Sequence, residues 1–222
     1  MAPFLFVLRG REGPWNSGPV SGDIMSGLKL VLSFIALAVL AACADPSADP
    51  VEEIQARAYV SNEPPAITIF TMVNENGDFG EHTGILINAS QQVLWDPAGS
   101  FRSVNLARSK DVFYGMTPQM VDYYVSYHAR SGYYVVAQKL EVSADVAETL
   151  FRRAVAQGAT GKLRCTVAAS SVLGSIPQFA DIPTTFFPGK LMEEFGKIPG
   201  VETSITREFD EGQNYAPGVN GM

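Results

Sequence analysis

The sequence predicts an α+β domain with a mostly antiparallel sheet packed on helices. Three observations carry this: β-branched segments alternate with polar ones and follow one another directly between residues 66 and 96; helical segments with clear start signals are interleaved with strands after residue 117; and 46% of the 222 residues are hydrophobic against 18% charged. Successive strands joined by short turns pair antiparallel, and this length and composition suit one sizeable core rather than disorder. The domain is expected over 65–209.

Ala66 to Val73 alternates and reads as a strand, closed by the turn-forming Asn74-Glu75-Asn76-Gly77-Asp78. A second strand is expected from about His82 to Asn88. A tight connection through Ala89-Ser90-Gln91 leads to a third over Val93-Leu94-Trp95-Asp96, stopped by Pro97. Val112-Phe113-Tyr114 is a short strand candidate. Thr117-Pro118 supplies a helix cap followed by proline at the first helical position, and the helix should run to about Ala129, with Tyr123, Tyr124 and Tyr127 packing on the sheet. Tyr133 to Val142 is a further strand. Ser143 to Glu148 opens a helix with an acidic first turn, and Gly158 to Gly161 breaks it. The segment around Cys165 is helical up to Gly174–Pro177, with small residues Ala168 and Ala169 allowing close approach to the sheet. A short helix from Pro188 and a last strand over Val201 to Phe209 complete the domain. Residues 210–222 read as a loose tail, and Glu52 to Val60 fits a helix or an extended arm equally well.

The N-terminus reads as a targeting segment. Lys29 precedes the apolar run Leu30 to Leu40, which ends in Leu40-Ala41-Ala42-Cys43. The run is too short for a membrane span and fits a secretory signal. Its last four residues resemble the bacterial lipobox at every position, which implies a signal peptide over 25–42 and lipidation of Cys43. Arg9-Gly10-Arg11-Glu12-Gly13-Pro14 fits a signal poorly, so Met25 is the expected start and residues 1–24 an extension that is not part of the natural product. Residues 43–64, opening with Ala44-Asp45-Pro46-Ser47-Ala48-Asp49-Pro50, read as a lipidated tether. Alanine rather than aspartate after Cys43 resembles lipoproteins sorted to the Gram-negative outer membrane, facing the periplasm, with the lipid on Cys43 as the membrane partner.

Removing 1–42 leaves 13 basic and 21 acidic residues, a net charge of −8 against −7 for the whole chain. No basic surface for nucleic acid is expected from such a sequence. No cofactor or metal motif is present. With Cys43 acylated, Cys165 has no partner for an intramolecular disulfide, and an unpaired thiol in an oxidising compartment needs either burial or a use.

A thiol at a helix N-terminus sits where the first turn's N–H groups and the positive dipole end favour the thiolate. Of the two histidines, His128 lies at the C-terminal end of its helix, where a protonated ring would complement the dipole; this is a structural role. His82 opens an apolar strand and is the candidate base. In a hairpin with an odd-numbered loop such as Asn88-Ala89-Ser90, position 82 falls opposite Asp96, which would orient the imidazole. The bland alternative is that Cys165 is simply a small buried hydrophobe.

Glu81-His82-Thr83-Gly84-Ile85-Leu86-Ile87, then Val93-Leu94-Trp95-Asp96-Pro97, then Cys165-Thr166 with Val172-Leu173, and finally Phe187-Pro188 with Leu191, resemble the circularly permuted branch of the NlpC/P60 papain-like superfamily. There the histidine strand precedes the nucleophile helix. The resemblance spans about Ile67 to Ile205 and lies in order and joint occurrence. It implies Cys165 as nucleophile, His82 as general base, Asp96 in the third polar position, and an oxyanion held by the backbone N–H of Cys165. Arg164 stands where relatives often carry asparagine, and its charge is a possible influence on the thiol. The implied activity is cysteine amidase or peptidase hydrolysis of cell-wall peptides, or of lipid-derived acyl groups. The competing expectation is a non-catalytic envelope lipoprotein that uses the scaffold for binding.

Overall fold

In a computed structural model of the chain, residues 48–130 and 132–208 are described. Cys43, the signal segment, the extension before it and the tail over 210–222 lie outside them. Thirteen elements follow in order, twelve of them regular: α1 (Val51–Arg57), β1 (Ala66–Asn74), β2 (Phe79–Asn88), β3 (Gln92–Trp95), β4 (Ala107–Ser109), β5 (Val112–Tyr114), α2 (Pro118–His128), β6 (Tyr133–Glu141), α3 (Ala144–Gln157), α4 (Cys165–Gly174), a 3-10 turn (Pro177–Phe179), α5 (Pro188–Gly196) and β7 (Glu202–Arg207). The seven strands form one sheet in the order β4-β5-β3-β2-β1-β6-β7, and every pairing is antiparallel.

Strand alternation gives the sheet two apolar faces, each covered. On one face Ile67, Ile69, Ile85, Ile87, Val93 and Trp95 pack with Leu150 of α3, Ala168, Ala169 and Leu173 of α4, and Leu191 and Phe195 of α5. Small residues on α4 let it lie close to β2, as the sequence implied. On the other face Phe70, Met72 and Leu94 pack with Met120, Tyr123 and Tyr124 of α2 and with Phe101 from the loop after β3. α2 starts as expected: the Thr117 side chain accepts from the N–H of Met120, with proline at the first helical position.

Differences from the sequence reading cluster around β2. The strand begins three residues before His82, which is thus internal rather than at its start. The β2–β3 register pairs Ile85 with Trp95 and Asn88 with Gln92. Continued outward, it sets residue 84, not 82, opposite 96. The loop is Ala89-Ser90-Gln91, centred one residue beyond the Asn88-Ala89-Ser90 example, which moves the partner of residue 96 by two; because two residues restore the same face, His82 and Asp96 remain on one side as diagonal neighbours. β4 was not anticipated; its three residues carry no alternation long enough to read.

A bulge interrupts β1–β2: Met72 pairs with His82 but Val73 with Gly80, so Glu81 is the extra residue. The shift turns Gly80 toward α5, where a Cβ would come within 2.7 Å of the Gly189 nitrogen. Residues 48–64 run along the domain: Ala48 bridges to Ser109, the Asp49 N–H donates to the Arg108 carbonyl at 2.7 Å, and Asn88 Nδ2 donates to the Glu63 and Pro64 carbonyls. Of the two alternatives for Glu52 to Val60, a helix over Val51–Arg57 is found. No helix among the described residues is long and apolar enough to cross a membrane.

Candidate active site

The site forms at one end of the sheet, where β3 has stopped. β2 is paired with β1 along its length, but on the β3 side its pairing ends at Ile85. Beyond that point the edge of β2 is open to the N-terminus of α4. Alternation then divides the neighbours of the thiol. Thr83 faces α4, its hydroxyl 3.3 Å from that of Thr166, while His82 points to the α2 face. The Cys165 sulfur lies 3.6 Å from the Thr166 hydroxyl, and the Thr83 backbone N–H and the His82 ring are near enough to favour its thiolate.

His82 Nε2 lies 2.6 Å from Asp96 Oδ1. With Nε2 so engaged, the ring nitrogen left for the thiol is Nδ1. Asp96 is 1% exposed, and its Oδ1 also accepts from the Tyr124 hydroxyl at 2.9 Å. Its Oδ2 is buried without a partner among the described residues. Two glycines make room: a Cβ on Gly84 would meet the Tyr124 hydroxyl at 2.2 Å, and one on Gly99 would meet Asp96 Oδ2 at 1.7 Å. The three residues singled out from the sequence are therefore brought together as a line of sulfur, imidazole and carboxylate, while Cys43 lies outside the described residues.

The electrostatics follow from this line. Burial alone would push the His82 pKa down, but the bond to Asp96, the bond to Cys165 and the charges on both raise it to about 10. Burial would raise that of Cys165, yet the His82 bond and charge, the Thr166 hydroxyl and the Thr83 N–H lower it to about 7. The Asp96 carboxyl, despite burial, is held below its ordinary range by His82. Between about pH 7 and about pH 10 the pair is therefore thiolate with imidazolium. Arg164 is exposed, and the groups that lower the thiol most lie on β2 and α4.

His128 departs from its expected part. Burial lowers its pKa to about 4, so it is neutral and does not complement the helix dipole as a cation. Its Nδ1 donates to the Tyr124 carbonyl at 2.9 Å, and its ring lies 6.2 Å from that of His82 at 24°. Tyr124 is the residue the sequence reading missed; its helical stripe correctly implied packing on the sheet, but nothing local shows that a phenol from α2 reaches a carboxylate from the end of β3. The small residue two after His82, Gly84, was the available signal that something approaches there.

A cavity of about 360 Å³ adjoins the imidazole, lined by Met72, His82, Gly99, Tyr127, His128 and Tyr133. A larger one, about 540 Å³, lies between α2 and the β6–β7 edge and touches none of the three residues. Convergent titratable groups, not size, identify the site. Cys165 itself is only 8% exposed, whereas Leu163 just before it and Phe186 and Phe187 before α5 are exposed. Among the described residues no group of histidine, cysteine and carboxylate side chains is arranged to hold a metal ion. Compared with protein-family models, curated proteins and solved structures, the chain has no match.

Proposed function

We propose that this chain is a cysteine hydrolase that cleaves an amide through a covalent acyl-enzyme. The observation that carries the reading is the convergence of Cys165, His82 and Asp96, with the His82–Asp96 contact at 2.6 Å and a thiol pKa lowered by His82 to about 7. The thiolate attacks the carbonyl carbon, and the oxyanion rests against the N–H of Cys165, which as the first residue of α4 has no carbonyl four residues earlier in the helix. The C–N bond breaks as His82 gives its proton to the departing amine. Water, deprotonated by His82, then attacks the thioester; the acid leaves and the sulfur is regenerated. Asp96 keeps the imidazole oriented and offsets its charge.

In this reading the domain is a permuted NlpC/P60-type papain-like fold, the histidine strand preceding the nucleophile helix. The lipobox-like sequence ending at Cys43 supports a lipid-anchored protein of the cell envelope, placed on the outer membrane and facing the periplasm. Peptides of the cell wall are the substrate class that suits this location, with lipid-borne acyl groups as the other candidate. The low exposure of Cys165 favours a second reading, a non-catalytic envelope lipoprotein that uses the scaffold for binding.

Thiol alkylation across pH separates the two. For an enzyme the rate should rise with a midpoint near 7 and move toward 9, the ordinary cysteine value, in His82→Ala. A midpoint already near 9 in the wild type, indifferent to the substitution, would leave only the binding reading.

A further inference from the structure

Tyr124 sits at the junction of the site and the α2 face. Its ring is fully buried, enclosed by Phe70 at 5.4 Å, Phe101 at 5.0 Å and His128 at 4.5 Å between centroids. The hydroxyl crosses directly over Gly84, where even a methyl group would collide with it. The phenol therefore has one place to be. From there it donates to Asp96 Oδ1, the same oxygen that meets His82 Nε2, while Asp96 Oδ2, against Gly99, has no partner among the described residues.

We propose that Tyr124 is a positioning residue that commits one oxygen of Asp96 to His82 Nε2, and so reserves Nδ1 of the imidazole for Cys165. This rests on the hydrolase reading and adds to it the device that selects the tautomer. A carboxylate has two equivalent oxygens, and a buried one with a single partner gains little from one rotation over another. Two donors converging on Oδ1 remove that freedom. A neutral imidazole then carries its proton on Nε2, where the carboxylate accepts it, and the lone pair on Nδ1 is free to take a proton from the thiol or from water. The backbone carbonyl of Tyr124 fixes the second ring of the site, accepting from His128 Nδ1. His128 stays neutral there, so the ring stacked on His82 adds no competing charge.

The test uses the full chain with Cys165 blocked as the methyl disulfide, which removes the thiolate, and with the pH raised until the ring, still held protonated by Asp96, has lost its proton. Nitrogen NMR of the His82 side chain then reads the neutral tautomer. The wild type should show the proton on Nε2 throughout; Tyr124→Phe, which keeps the ring and loses only the hydroxyl, should show a mixture. With free thiol and p-nitrophenyl acetate as the probe, release of the acetyl group should slow roughly tenfold in Tyr124→Phe, the loss expected for one hydrogen bond to a charged group. An unmixed Nε2 tautomer in Tyr124→Phe overturns the inference, as does unchanged acetyl release. Should that variant not fold, a wild-type ring whose proton is found on Nδ1 overturns it equally, and a proton on Nε2 supports it. Absence of an acetyl-enzyme in the wild type defeats the hydrolase reading and leaves the tautomer measurement standing by itself.

Discussion

At the scale of single residues, Asp96 decides the protonation state of the site. Its bond and charge are the main influences that raise His82, and His82 in turn is what lowers Cys165. Asp96→Asn should therefore lower the His82 pKa from about 10 and lift the alkylation midpoint of Cys165 from about 7 by a unit or more, read by the same pH series. His128 makes a separate prediction about stability. Its folded pKa of about 4 lies below the ordinary 6.5, so the unfolded chain binds the proton first as pH falls. Stability is thus undisturbed by this group above about pH 6.5 and is lost progressively between 6.5 and 4, by at most about 3 kcal/mol. His82, whose folded pKa is raised to about 10, contributes in the opposite sense, and only near and above its ordinary 6.5, where stability falls as pH rises. Urea melts between pH 4 and 7 should show the loss in the wild type and a flatter dependence in His128→Gln.

At the scale of elements, the small residues of β2 and α4 set how closely the two approach. Ala169 is fully buried on the sheet side of α4, and Ala169→Leu should cost about 1–3 kcal/mol by overpacking, measurable by denaturant unfolding. Thr117→Ala should cost about 1 kcal/mol by removing the cap of α2, and should loosen the helix that carries Tyr124 and His128. These features were legible beforehand because capping and helical periodicity are local. The Thr117-Pro118 start, the helix opening at Ser143, and the strands at 66 and 133 each follow from a few consecutive residues. The hairpin register was not. Loop parity was open from the sequence; with the odd loop that is found, a centre one residue further along moves each partner by two, and the alternation of Ile85, Ile87, Val93 and Trp95 is equally satisfied by either choice. The bulge at Glu81 was similarly hidden, because it answers to α5, more than one hundred residues away.

At the scale of the whole molecule, one sheet is shared by two apolar layers and its end holds the site. Trp95 is buried on the face covered by α3 to α5, so its fluorescence reports that layer. Far-UV circular dichroism reports the helices and strands of both. Because every strand belongs to one continuous sheet, the two signals should change together in urea; two separated transitions would mean that the faces unfold independently.

What the sequence determined by itself was the class of fold, the order of the elements, and the candidacy of Cys165 and His82. These depend on residue type, spacing and turn chemistry, all of which act over a few residues. Tertiary structure alone decided that β3 stops short and opens the edge of β2 to the thiol, that Asp96 reaches His82 diagonally, and that Tyr124 crosses Gly84 to the same carboxylate oxygen. His128 shows the difference most plainly: its place at a helix C-terminus implied a cation, whereas the aromatic layer packed around it keeps the ring neutral. A proton's position depends on burial and on charges brought in from other elements, and neither is written in the neighbouring sequence.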